Sequence, residues 1–270
     1  MPEILQFAFM KNALFASLIV GIICSLAGVV VILKGLSFMG GGIAHASFAG
    51  VMLALLIGSD PFLFSLAFSV IAALLIGYTG RKGGFKLDTP IGIMYSFTMA
   101  LAILFIGLMK RYDARVMNFL FGSVLSVSPK DLWLLLINGV IMILFFSFFY
   151  KELKFTIFDE ELASVSGIPS AFISYLFLTL LALTISTSLK SVGVILVFAM
   201  IVTPAAAAYE LTHRFGVMVI FSVLFGIIAS VSGLFISYYL NVPSGATIVL
   251  VITFIFIITM VVSPKRRRAG

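Results

Sequence analysis

The sequence predicts an all-α integral membrane protein with about nine transmembrane helices. Of its 270 residues, 62% are hydrophobic and 10% charged, and the mean hydropathy is +1.27. A soluble domain carries about 25% charged residues, so this chain cannot cover a water-facing surface. Apolar runs of roughly 18 residues or more, long enough for a helix to cross the hydrocarbon, recur along its whole length. These runs are continuous, whereas a membrane β-barrel would show ~10-residue segments of alternating polarity.

The runs place spans at about 12–33, 41–58, 61–79, 89–109, 131–150, 170–187, 191–209, 216–238 and 244–263. The first is too long for a signal peptide and no A-x-A-like site follows it, so it reads as a span that also directs insertion. It holds Cys24, the one cysteine. A lone thiol excludes an intrachain disulfide and a thiolate metal cluster and reads as a small core residue.

The second span opens with Gly40, Gly41 and Gly42 and then carries His45 among Ala44, Ala46, Ser47, Ala49 and Gly50. Small residues let helices approach closely, and an ionisable side chain inside a span is a functional-site candidate. Neutral imidazole suits zinc and other first-row metals. One ligand does not make a site, but a two-fold dimer with His45 near its axis would supply two. The competing reading is a histidine hydrogen-bonded between packed helices.

Between the fourth and fifth spans, Met117–Leu125 is apolar but too short to cross. It reads as a re-entrant helix buried against protein or as an interfacial turn. Between the fifth and sixth, the stretch from Phe155 to Pro169 reads as a short helix. Asp159 is its N-cap, Glu160 and Glu161 suit its positive end, Gly167 fits C′ and Pro169 stops continuation. Leu162 and Val165 share a face that a partner's groove could take; an ordinary capped connector is the other reading. In the seventh span Pro204 predicts a kink near Met200, with Thr203 placed to satisfy the freed carbonyl. That pair is either a simple kink or a gate. The last span follows a turn through Val242, Pro243 and Ser244, and the chain ends on Lys265, Arg266, Arg267 and Arg268.

Alternating the spans puts eleven basic residues on one side, including Lys34, Arg81, Lys151, Lys154, Arg214 and the terminal cluster, and six on the other. The positive-inside rule makes the richer side cytoplasmic, with the C-terminus inside. The net charge of +7 is therefore membrane topology and gives no nucleic-acid signal. The ten acidic residues, Glu3, Asp60 and Asp88 among them, all fall in loops or at span ends. An intramembrane carboxylate relay has no support. A P-loop, a zinc-protease His-Glu-x-x-His and a Gly-x-Ser-x-Gly elbow are absent from the sequence. Transport is left as the fitting class, without catalytic residues or a bound cofactor.

Several motifs in order resemble the ABC-3 family, the permease subunits of prokaryotic ABC importers for zinc, manganese or iron(II). They are Met39–Ser47, Phe121–Leu125, Phe158–Ala163 followed by Gly167, Leu196–Ala205 and Val242–Thr247. The resemblance covers nearly the whole chain and implies a single permease domain, 1–270, similar to the vitamin B12 and siderophore type of importer. It implies a homodimer in the cell membrane, two cytoplasmic ABC ATPase subunits and an extracytoplasmic metal-binding protein. It makes 158–168 a coupling helix, with Asp159, Glu161, Ala163 and Gly167 matching the motif and Leu162 as a contact. It makes His45 a transient ligand of the transported ion, which is substrate and not cofactor. Many relatives carry an acid four residues before this histidine. Gly41 stands there instead, so a site of two acids and two histidines is not carried over. A nitrogen-dominated path leans towards zinc over manganese. The expected function is inward passage of a divalent transition metal, zinc first, driven by a separate ATPase. The alternatives are a permease for a metal chelate (siderophore, haem or cobalamin) and a scaffold without transport.

Overall fold

The computed structural model describes residues 8–82, 88–109, 114–122 and 127–264. In lipid, backbone groups find no water, so apolar runs fold as helices that satisfy themselves. The helices are α1 (Ala8–Leu33), α2 (Met39–Ile57), α3 (Pro61–Lys82), α4 (Asp88–Leu108), α5 (Ala114–Phe121), α6 (Pro129–Phe148), α7 (Tyr150–Phe158), α8 (Glu160–Val165), α9 (Ser170–Val192), α10 (Val194–Leu211), α11 (Phe215–Leu240) and α12 (Ser244–Val262). Among the described residues nine are long and apolar enough to cross a membrane, all except α5, α7 and α8. The expected count holds. The terminal basic cluster from Lys265 lies outside the described residues.

Two boundaries differ from expectation for physical reasons. The sixth span was expected to end near residue 187, before Lys190. Instead α9 runs on to Val192, with the Lys190 ammonium in its last turn 2.7 Å from the Asp131 carboxylate of α6. The break falls at Gly193, whose φ of 83° side chains rarely adopt. The fifth span was expected to reach residue 150. Helix α6 stops at Phe148, and a separate helix, α7, takes in Tyr150 from that span and Phe155–Phe158 from the stretch read as one short helix.

Helix α1 packs on α6, α10 and α11, and α9 packs on α2, α3 and α6. Around these two, α2, α3 and α4 form one group and α10, α11 and α12 another. Glycines set the closest approaches. A methyl group at Gly28 of α1 would lie 1.8 Å from the Ile201 carbonyl oxygen of α10, and one at Gly50 of α2 would lie 2.3 Å from the Phe64 carbonyl oxygen of α3. Only a missing side chain permits such contact. Buried polar groups find one another across helices. Asn138 donates to the hydroxyls of Thr184 (3.1 Å) and Thr187 (3.3 Å). Ser47, Ser65, Ser69 and Ser186 join α2, α3 and α9. Outward faces are apolar, as Phe148, Leu250 and Val261 illustrate.

Helix α5 packs on α2, α9 and α10. It closes at Gly122 (φ 72°), where a methyl group would lie 1.9 Å from the Val192 carbonyl oxygen. Helix α5 is thus held against the bundle up to Gly122. Ser123, Val124 and Leu125 lie outside the described residues.

Candidate functional site

His45 stands on the second turn of α2, half-buried. Its Nδ1 is buried and has no hydrogen-bond partner. Its ring meets Tyr95 of α4 edge to face, with centroids 4.4 Å apart. The reading of a histidine hydrogen-bonded between helices is therefore not what is found at this nitrogen. The imidazole faces a cavity of about 380 Å³ lined by Phe38, Gly41, His45, Asp88, Ile91, Gly92, Tyr95, Ser96 and Phe198. Three helices build it. Helix α2 gives the imidazole, α4 gives a carboxylate, a phenol and a hydroxyl, and α10 closes it with the Phe198 ring. Asp88, Gly92, Tyr95 and Ser96 are exposed, so the cavity opens on the outer face of α4. That helix buries the smallest share of its length of all nine spans.

Gly41 lies beside Phe198. A methyl group there would sit 3.4 Å from Cε2 of the ring, an ordinary van der Waals contact. The carboxylate of this cavity arrives from Asp88, in the first turn of α4. Among the described residues, no group of three or more His, Cys, Asp and Glu is arranged to hold a metal ion. The cavity thus presents nitrogen- and oxygen-bearing side chains from α2 and α4.

The second element is α8. Asp159 caps it, accepting from the Leu162 N–H at 2.8 Å. A Schellman motif ends it: Ile168 N–H donates to the Ala163 carbonyl at 3.0 Å and Gly167 N–H to the Ser164 carbonyl at 3.1 Å, with Gly167 at φ 84°. Ala163 is fully buried, while Leu162 is 54% and Val165 87% exposed. Helix α8 packs on its flanking helices, α7 and α9. Its N-terminal Glu160 pairs with Lys34 at 3.3 Å and with Arg81. Burial, helped by the Arg81 guanidinium, pushes the Lys34 ammonium down to about 8.

A capped external helix with an apolar face, on a bundle of nine spans with a donor-lined cavity, is the architecture expected of an importer permease. Residues 6–263 match the ABC 3 transport family. The chain belongs to the ABC 3 transport family. It is 39% identical over 264 residues to the manganese transport system membrane protein MntC of Halalkalibacterium halodurans, covering 98% of this chain and 90% of that protein. It is 38% identical over 262 residues to the manganese import system permease protein ScaB of Streptococcus gordonii, covering 97% and 94%. Its fold is similar to that in the structure of PsaBC from Streptococcus pneumoniae in complex with Fab, with TM-score 0.86, 39% identity and coverage of 98% and 95%. An inward-facing putative metal-chelate type ABC transporter shares the fold at TM-score 0.79 and 17% identity.

Not every residue singled out in the sequence of this ABC 3 family chain falls in these two places. His45 lines the cavity. Thr203 and Pro204 do not; Pro204 is buried inside α10, which stays helical through it, and Thr203 beside it is half-buried. Of the α8 residues, Asp159 and Gly167 fix the two ends, Leu162 and Glu161 face outward, and Ala163 anchors the helix inward. Sequence reasoning missed Asp88, Tyr95 and Phe198. Asp88 carried a signal, as the acid opening a span, but a first-turn acid is ordinarily read as a partner of the helix dipole. The lean towards zinc finds no support in the relatives, whose names specify manganese.

Proposed function

We propose that this chain is the membrane subunit of an ABC importer that passes a divalent transition-metal ion, manganese before zinc or iron(II), into the cytoplasm of a prokaryote. The observation that carries the reading is the open cavity that His45 and Asp88 both line. The names of the relatives favour manganese. A half-site on an uncovered helix face suits a two-fold dimer, in which each residue near the axis counts twice. Two imidazoles and two carboxylates would then surround the path, a nitrogen and oxygen set acceptable to manganese. Tyr95 and Ser96 add weaker oxygen donors. Nothing in this path performs chemistry on the ion. The path supplies alternate ligands for lost water, and a separate cytoplasmic ATPase, two copies per dimer, shifts it between outward and inward access.

Helix α8 serves as the coupling helix, with Leu162 and Val165 as its docking knobs. That role places α8 and the C-terminus in the cytoplasm, and an extracytoplasmic binding protein delivers the ion to the opposite end. The test is accumulation of ⁵⁴Mn and ⁶⁵Zn in cells expressing the chain with its ATPase and binding protein. His45→Ala and Asp88→Asn are each expected to lower manganese uptake at least about tenfold, since losing even an outer-shell partner costs ~10–100-fold. Unchanged uptake in both, at equal membrane abundance, would remove the cavity from the path.

A further inference from the structure

Glu160 carries a role that the α8 motif does not assign. A glutamate in a first helical turn is ordinarily explained by the helix dipole, and Glu161 beside it is exposed and fits that account. Glu160 is half-buried, and its carboxylate leaves α8 for two other helices. One oxygen accepts from Lys34 at 3.3 Å and the other pairs with Arg81.

Each partner is fixed in turn. Lys34 ends α1 in a Schellman turn, with Gly35 at φ 68° and Leu36 N–H bonded to the Val31 carbonyl at 2.8 Å. Buried Leu36 then accepts from Met39 N–H at 2.8 Å, so the turn leads rigidly into α2. Lys34 also donates to Ser174 at 3.1 Å. Arg81 lies in the last turn of α3, its guanidinium 5.3 Å from the Tyr175 ring centre. A cavity of about 220 Å³ between these groups and α9 leaves room for the cluster to shift.

We infer that Glu160 is a positioning residue that transmits movement of the coupling helix to α2 and α3, with Lys34 and Arg81 as its two anchors. The inference rests on the transport reading of α8 above. A helix capped at both ends moves as one body. Beyond its packing on α7 and α9, the bridge through Glu160 carries that motion to the turn that starts α2, the helix bearing His45. Through Arg81 it also reaches α3, which packs along α2.

The experiment uses the complex of this chain with its ATPase in proteoliposomes, with Mn²⁺ and the binding protein supplied outside. Manganese taken up per ATP hydrolysed is measured together with ATPase co-purification. Glu160→Gln keeps shape and removes charge. It is expected to retain the ATPase and to lower uptake per ATP by ~2–30-fold, the span of coupling changes of 0.5–2 kcal/mol. The exchange Glu160→Arg with both Lys34→Glu and Arg81→Glu is expected to recover most of the loss, which no purely local packing defect would do. An unchanged ratio in Glu160→Gln overturns the inference, and so does loss of the ATPase, which would make Glu160 a docking residue. If Glu160→Gln accumulates poorly, Lys34→Gln and Arg81→Gln cut the anchors one at a time, and an unchanged ratio in both overturns it equally. Failure of the unaltered complex to take up metal would refute the transport reading itself, seen before any variant is compared.

Discussion

Asp159→Ala tests whether α8 acts as a preformed docking helix. A six-residue helix has no stability of its own; its caps and the burial of Ala163 hold it. The substitution removes the 2.8 Å bond from the Leu162 N–H to the Asp159 carboxylate. Loss of such a cap costs ~1 kcal/mol, about a fivefold shift in the helix–coil ratio. If the formed helix is what the ATPase binds, its apparent affinity falls with that population, by up to about fivefold. Asp159→Asn separates the cap from the charge, because the amide oxygen accepts the same bond without contributing to the helix dipole. The assay is titration of labelled ATPase onto the permease in nanodiscs. The expected order is wild type, then Asn close to it, then Ala. Wild-type affinity in Asp159→Ala, or Asn as weak as Ala, would refute the cap argument.

Gly28→Ala would push a methyl group to 1.8 Å from the Ile201 carbonyl oxygen. Because the obstacle is backbone, α1 and α10 must part, at a cost of ~1–3 kcal/mol. A lower Tm in detergent is expected, while Gly40→Ala, which meets only the Ile201 side chain at 3.5 Å, should leave Tm nearly unchanged; equal Tm values would refute the close approach. Lys34 gives a pH signature. Its folded value of about 8 lies below the ordinary lysine value of 10.5, so between these values the unfolded chain binds more protons and folding gains with rising pH. The Tm difference, wild type minus Lys34→Met, should therefore rise from pH 7 to pH 9.5. A fall would mean that the pair with Glu160 outweighs the burial.

The fold was legible because lipid leaves few options. Continuous apolar runs without partners for their backbone must be helices, and their number and order followed from length alone. Both ends of α8 were legible too, since Asp159 and Gly167 act through local backbone geometry that a residue type announces. What stayed hidden depended on pairing between distant segments. Lys190 looked like a loop residue because a charge after an apolar run ordinarily marks the end of a span, and its partner Asp131 lies 59 positions earlier (190 − 131). Helix α7 was hidden because the α6 apolar run gave no sign of breaking at Phe149. Asp88 and His45 are 43 positions apart (88 − 45), and nothing short of α4 lying on α2 brings them to one cavity.

That last pairing also bears on the proposed preference for manganese. With Gly41 read in isolation, the path had lost its acid and kept its imidazole, and a nitrogen-rich path favours zinc. The cavity has a carboxylate delivered from another helix, lining the same space as His45. The donor set is then mixed, not nitrogen-dominated. Carboxylate and water oxygens suit manganese, whereas the Irving–Williams order lets nitrogen-rich sites hold zinc more tightly. A path must also release its ion, and weaker ligation serves release. The substitution Asp88→Asn therefore has a directional consequence beyond lost uptake. It should reduce manganese transport more than zinc transport, measured as the ratio of ⁵⁴Mn to ⁶⁵Zn accumulated in competition. A ratio unmoved by Asp88→Asn while both rates fall would make Asp88 an electrostatic guide to cations in general and leave metal choice to some other part of the importer.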